Sequence, residues 1–288
     1  MLTKAKEVAE IIGQKYQAEV TEVRQGDLTK VGIVIGSGET RPIFYICNYM
    51  MEESTNEEIA DMIMEHYEDL DELEFDKERF FDWDEAQEHL ILCVRPKTAN
   101  QDDVSVMMFN TDLELYVRYT VKESGYDGSI VIKYEHLKMW DIDKHTLFDK
   151  AVENTKSRFS VMNINDILLQ RMSGIDLKME PFDTAIEELT IGDEMPIMLV
   201  LSAIDNHYGA SVMFYPSILE RVAEKLKGDF YILPSSVHEI ICIPTYDVEG
   251  DKLHDMIKEI NDSMLEENER LSDYPFIYRR GTRLVEQL

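Results

Sequence analysis

The chain has 288 residues and carries 58 Asp and Glu against 29 Lys and Arg, a formal net charge of −29. This charge disfavours direct binding to nucleic acid or to an anionic membrane, because both are also negatively charged. An apolar content of 44%, with 14 Tyr and 11 Phe, argues against a disordered acidic chain. We therefore expect a globular protein that contacts neither nucleic acid nor membrane directly.

The cysteines and the N-terminal segment indicate a cytoplasmic protein. Cys47, Cys93 and Cys242 stand far apart in apolar runs, which is typical of buried, reduced thiols rather than a disulfide framework. The N-terminal segment mixes charged and apolar residues, unlike a signal peptide, and no run of uncharged apolar residues is long enough to span a membrane.

The predicted elements begin with an amphipathic helix, in which apolar residues from Leu2 to Tyr16 recur at helical spacing. A meander of three strands follows at 19–24, 31–35 and 42–47. The acidic segment 52–88 then opens as a helix, because Ser54 with Glu57 and Thr55 with Glu58 form overlapping capping boxes. Next come a hairpin of strands 113–121 and 129–134 and a helix over 144–156.

The later part of the chain predicts a similar order. Strands at 195–203 and 211–215 form a second hairpin, and a helix over 216–227 follows. This order lies 82 positions after the first one, and either a faint internal duplication or chance accounts for it. Strands at 230–233 and 240–243, a helix over about 250–268 and an extended end complete the chain.

These elements predict an α+β protein with two packed halves, 1–158 and 159–288, each a mainly antiparallel sheet flanked by helices. Residues 157–193 have weaker periodicity and contain Gly174, Pro181 and Gly192, so they form the predicted connecting region.

The most informative feature of the sequence is the acidic segment. Residues 52–88 hold seventeen Asp and Glu against Lys77 and Arg79, a net charge of −15 in this segment alone. Concentrated charge favours fast, salt-sensitive association with a basic surface. The leading hypothesis is therefore a non-enzymatic interaction or regulatory protein that presents an acidic face to a basic protein partner. A nucleic-acid mimic is a special case of it.

Two groups of side chains in this segment are candidate binding residues. The carboxylates of the predicted acidic face are Glu57, Glu58, Asp61 and Glu65. The aromatic group is Phe80, Phe81 and Trp83, which either anchor a short helix in the core or form a protein-binding patch rimmed with carboxylates.

The alternative hypothesis is a hydrolase. If strands 195–203 and 240–244 pair, the turn at 205–209 lies beside residues 235–239. Ser235 or Ser236 would then be the nucleophile, and His238 or His207 the base. Turn chemistry accounts for most of these residues, since the serines lack a Gly-x-Ser-x-Gly elbow.

The sequence predicts no metal site and no cofactor. His238 and Glu239 begin like half of a zinc motif, but Cys242 stands where the second His belongs and the segment reads as a strand. A calcium loop that starts at Asp71 would have Leu73 and Phe75 at ligand positions.

Four stretches resemble a family of uncharacterised bacterial proteins that is classed as a domain of unknown function. They are EHLKMW at 135–140, LFDKAVENT at 147–155, YGAS at 208–211 and FYILPSSVHEIICIP at 230–244. The likeness spans most of residues 1–270. The resemblance implies a cytosolic bacterial protein with an α+β fold, and it implies no activity, substrate or catalytic residue.

Overall fold

A computed structural model describes residues 1–25, 28–37, 41–50, 54–70, 76–98, 101–108, 110–123, 126–173, 179–190, 197–234, 236–246, 248, 252–264 and 269–288. Helices accompany mostly antiparallel sheets, so the predicted α+β class is confirmed.

Backbone contacts divide the chain into two compact units. Unit 1 consists of Met1–Lys77, Thr98–Asn100 and Val121–Gly128, and unit 2 of Glu78–Lys97, Gln101–Thr120 and Ser129–Leu288. This division falls elsewhere than the predicted halves 1–158 and 159–288, whose independence as folding units stays a prediction.

Unit 1 contains a three-stranded antiparallel sheet in the order β1-β2-β3 and two helices. Its elements are α1 (Leu2–Ile12), β1 (Ala18–Gln25), β2 (Leu28–Ile35), β3 (Ile43–Tyr45) and α2 (Asn56–Leu70). The predicted opening helix, meander and acidic helix are confirmed. Their core forms because Val8 and Ile12 of α1, Ile33 of β2 and Ile59 and Ile63 of α2 are buried in one apolar cluster.

Unit 2 contains most of two further sheets and most of the helices, although the first residue of α3, the end of β6 and the start of β7 are assigned to unit 1. Its first elements are α3 (Lys77–Phe81), α4 (Trp83–Ala86), β4 (Leu90–Pro96), β5 (Ser105–Met107), β6 (Leu113–Glu123), β7 (Tyr126–Val131), α5 (Tyr134–Trp140) and α6 (Lys144–Lys156). The later elements are β8 (Phe159–Asn163), α7 (Ile164–Ser173), α8 (Phe182–Glu188), β9 (Leu199–Ala203), α9 (Pro216–Lys225), β10 (Phe230–Leu233), β11 (Glu239–Pro244), α10 (Leu253–Met264), β12 (Phe276–Arg279) and β13 (Leu284–Gln287).

The two sheets of unit 2 differ in their number of strands and are formed by different parts of the chain. A four-stranded sheet has the order β4-β6-β5, with β7 also paired to β6. A six-stranded sheet has the order β13-β12-β10-β11-β9-β8. The region predicted as a connection, 157–193, supplies β8 at the edge of this second sheet and the helices α7 and α8.

Two predicted strand segments are wrong. Residues 211–215 were expected to form a strand, but Gly209–Phe214 is a 3-10 helix whose first five residues are all buried. The hairpin-then-helix order therefore does not repeat. The strand predicted over 129–134 ends at Val131, because Tyr134 already begins α5.

Candidate functional site

The turn at 205–209 and the segment at 236–239 lie together in unit 2. They follow and precede β9 and β11, which pair in an antiparallel register from Glu239 with Ser202 to Cys242 with Leu199. The backbone N–H of Gly209 donates to the carbonyl oxygen of His238 at 2.9 Å. The condition that the hydrolase hypothesis set for these two loops, the pairing of the two strands, is therefore met.

Gly209 fits this contact because it has no side chain. A Cβ atom at this position would lie 2.2 Å from the backbone nitrogen of Ala203 and 2.6 Å from the carbonyl oxygen of His238. The first atom belongs to β9 and the second to the residue just before β11, so backbone would have to move to admit a Cβ atom. The residue that precedes the glycine, Tyr208, has a left-handed conformation with φ of 57°, which turns the chain into the 3-10 helix.

His238 is held between these loops in a neutral form. The backbone N–H of Tyr208 donates to its Nδ1 at 3.2 Å, so the neutral ring carries its proton on Nε2. Nε2 lies 3.9 Å from Oε1 of Glu269. Burial lowers the pKa of His238, and the nearby His207 lowers it further.

The structure describes three of the four hydrolase candidates, Ser236, His207 and His238. Ser236 is buried, and its hydroxyl oxygen accepts the backbone N–H of His238 at 3.0 Å, as in a polar turn. Ser235 lies outside the described residues. His207 has an exposed ring whose Nδ1 lies 2.6 Å from the carbonyl oxygen of Asp205, which assigns its proton to Nδ1. Hydrogen bonds within and between the two loops therefore account for the positions of Ser236 and His238.

The predicted acidic side chains lie on α2 in unit 1. Glu57, Asp61 and Glu65 are exposed and four residues apart along one face of the helix. Glu58 is also exposed but closes the predicted capping box with Thr55: the Thr55 N–H donates to its Oε2 at 2.9 Å, and its own N–H donates to Thr55 Oγ1 at 3.2 Å. Glu57 and Glu58 both lie in the first turn of α2, where negative charge favours the helix, whereas Asp61 and Glu65 lie beyond it.

The predicted aromatic patch is divided between core and surface. Phe80 is only 6% exposed, and its ring packs edge-on against Tyr119, His136 and Trp140. Phe80 is therefore a core residue and not part of a binding patch, because α3 directs its ring towards the interior of unit 2. Trp83 is half-buried against the Trp140 ring, whereas Phe81 is 56% exposed.

Sequence reasoning missed a cluster of charged and aromatic side chains on β4 and β6. Arg95 pairs with Asp103 at 2.8 Å and with Glu114 at 2.7 Å, and its guanidinium lies 4.3 Å from the centre of the Tyr116 ring. Asp103 and Glu114 are 6% and 3% exposed. The signal was present in β6, where Glu114, Tyr116 and Arg118 alternate and so share one face of an otherwise apolar strand.

Cys93 lies beneath this cluster and is not a reactive thiol. It is fully buried in one apolar cluster with Ile91 and Tyr116. Burial raises the pKa of its thiol to about 12, against the opposing charge of nearby arginines, so the thiolate is not populated at neutral pH.

Comparisons with known proteins identify a family without a known activity. The sequence model of DUF5688, a family of unknown function, matches residues 3–280. The predicted resemblance to a domain of unknown function is confirmed by this match. No curated protein and no solved structure matches the chain significantly. None of the described helices is both long and apolar enough to cross a membrane.

Proposed function

We propose that this chain, which belongs to the DUF5688 family of unknown function, is a non-enzymatic interaction or regulatory protein that presents the carboxylates of α2 to a basic protein partner. The proposal rests on the exposed carboxylates along one face of α2. Glu57, Asp61 and Glu65 are exposed there, and none of them forms an ion pair with any residue that the structure describes.

The arrangement of these carboxylates works against the helix itself. Like charges four residues apart destabilise a helix by about 0.2–0.5 kcal/mol per pair, and the stripe contains the pairs Glu57 with Asp61 and Asp61 with Glu65. The helix is held by its opposite face, where Ile59, Ala60 and Ile63 are fully buried. Glu57 lies in the first turn, where a negative charge favours the helix, but Asp61 and Glu65 lie beyond it. The charge of Asp61 and Glu65 therefore does not help to form the helix, which supports a role in attracting a cationic surface.

The proposal is tested by removing the charge of the stripe without changing its shape. The triple variant Glu57→Gln, Asp61→Asn, Glu65→Gln is compared with a control, Glu180→Gln, Glu188→Gln, Glu224→Gln, which removes three exposed carboxylates from unit 2. Both variants and the wild type are immobilised and exposed to a cell lysate at low and high salt. A specific partner is one that the wild type and the control retain at low salt and that the stripe variant loses.

The affinity of the captured partner is then measured by calorimetry with purified proteins. The proposal fails if no partner distinguishes the stripe variant from the control. The nucleic-acid mimic is separated from other basic partners by adding duplex DNA, which should compete for the partner only if the partner binds this chain through its own DNA-binding cleft.

The hydrolase alternative stays a prediction with a test of its own. His207, with Nε2 unprotonated, is the histidine whose free acceptor nitrogen suits a base. Turnover of a nitrophenyl ester by the wild type, lost in Ser235→Ala and in His207→Gln but kept in His145→Gln, would support it. Equal background rates for all four proteins would dismiss it.

A further inference from the structure

Arg118 of β6 is a largely enclosed cation in unit 2. Its guanidinium lies 4.8 Å from the centre of the Tyr208 ring and 5.9 Å from that of Tyr116. Nε donates to the Ser129 hydroxyl at 2.9 Å, and Nη2 lies 3.4 Å from the Ser129 carbonyl oxygen. These contacts hold the planar group in one orientation.

Two other arginines of unit 2 have carboxylate partners. Arg95 pairs with Asp103 and Glu114, and Arg158 pairs with Asp205 at 2.5 Å. Within the part of the chain that the structure describes, no Asp or Glu forms an ion pair with Arg118. Glu114 lies on the same face of β6, but it is four residues from Arg118. Their Cα atoms are therefore roughly 13 Å apart at the rise of a β-strand.

An enclosed charge without a counter-ion is unfavourable, and proteins ordinarily pair such groups. Stacking on tyrosine rings compensates a guanidinium only in part, because the rings carry no net charge. Here the missing partner is notable because the chain has 58 carboxylates, twice the number of its Lys and Arg. The sequence thus offers many acidic residues, and none of the described ones lies against this cation.

The chemistry of the site selects the class of ligand. A guanidinium offers five N–H donors in a planar fork that matches the oxygens of a carboxylate or phosphate group. Ser129 takes up one edge of the fork. The His238 ring lies 5.5 Å from the Tyr208 ring, and the ring of the exposed His207 lies 5.8 Å from the His238 ring.

We infer that Arg118, framed by Tyr116, Ser129 and Tyr208, is the anchor of a binding site for the oxyanion group of a small molecule. This site lies in unit 2 and does not depend on the carboxylates of α2, so it is separate from the proposed partner surface.

The inference is tested on the full chain with inorganic phosphate and with acetate, titrated by calorimetry in chloride buffer at constant ionic strength. We expect the wild type to bind at least one of the two probes. Binding of phosphate alone indicates a phosphate-bearing ligand, and binding of acetate alone indicates a carboxylate ligand.

Three variants connect the binding to the anchor. Arg118→Gln removes the charge and should weaken binding at least tenfold, which corresponds to about 1.4 kcal/mol. Arg118→Lys keeps the charge without the planar fork and should fall between this variant and the wild type. Arg221→Gln, which removes an arginine paired with Asp183 and Glu187, should bind as the wild type does.

Circular dichroism establishes that each variant is folded, and Arg118→Lys serves as the test if the Gln variant does not fold. A direct measurement on the wild type complements both, since a bound oxyanion should shift the Nε resonance of Arg118 in a nitrogen NMR spectrum. The inference is overturned if neither probe binds the wild type, or if Arg118→Gln and Arg118→Lys bind as tightly as the wild type.

Discussion

Carboxylates have opposite roles in two regions of this chain. On α2, Glu57, Asp61 and Glu65 are exposed, and no described cation pairs with them. In the β4–β6 cluster of unit 2, Asp103 and Glu114 are buried and both pair with Arg95. Net charge alone therefore does not locate function: the buried carboxylates pair with Arg95 inside the fold, whereas those of α2 are the ones that we propose for the contact with a partner.

The largest expected effect comes from removing the cation of the buried region. Arg95→Met leaves Asp103 and Glu114 buried without a counter-charge, and breaking such a pair typically costs about 3–5 kcal/mol. Urea unfolding should therefore show a large loss of stability. The control Arg221→Met removes a guanidinium whose partner Asp183 is 89% exposed, and it should leave the curve nearly unchanged. Equal effects of the two variants would contradict the contrast between the regions.

The next effect concerns the backbone contact beside His238. Gly209→Ala places a Cβ atom 2.2 Å from the backbone of Ala203, so a paired strand must move. Overpacking of this kind costs about 1–3 kcal/mol. Gly228→Ala is the matched control, since a Cβ atom there meets nothing within 4 Å. Thermal unfolding should separate the two variants, and a Gly209→Ala protein as stable as the control would show that the loops have room to separate.

Sequence reasoning succeeded where the interactions that shape an element are local in sequence, and it failed where they are distant. The start of α2 was predictable because the capping pair Thr55 and Glu58 is local in sequence. The 3-10 helix at Gly209–Phe214 was not, because it is shaped by the His238 carbonyl, which is about thirty residues away. A run of small and apolar residues reads as a strand unless that distant contact is known.

The candidate sites also include residues that were predictable from the sequence and one that was not. Exposure of the α2 carboxylates followed from helical periodicity, and the meeting of the loops at Gly209 and His238 followed from a strand pairing. Arg118 was missed, because its lack of an ion pair with any described carboxylate depends on which side chains the sheet places around it. A single sequence does not give that information.

A smaller effect is expected from pH through His238 of unit 2. The pKa of His238 is lowered by burial, so between this pKa and about 6.5, the ordinary value, the unfolded chain binds a proton that the folded protein does not. Stability should therefore fall as pH drops below about 6.5. Part of that slope should disappear in His238→Gln and remain in the exposed control His145→Gln. Urea midpoints between pH 7.5 and 5 measure it, and a wild-type slope in His238→Gln would rule out this contribution.

The smallest effect is a gain of stability on the exposed side of the comparison. Asp61 has a like charge four residues away on both sides, at Glu57 and Glu65, so removing its charge relieves two repulsive pairs. Asp61→Gln should therefore raise the free energy of unfolding by a few tenths of a kcal/mol, on the order of one or two such pairs. Asp61→Glu is the control, because it keeps the charge while also replacing Asp by a better helix former. If the Gln variant gains no more stability than the Glu variant, repulsion between these carboxylates does not destabilise the helix. That result would remove one of the observations that support the proposed partner surface.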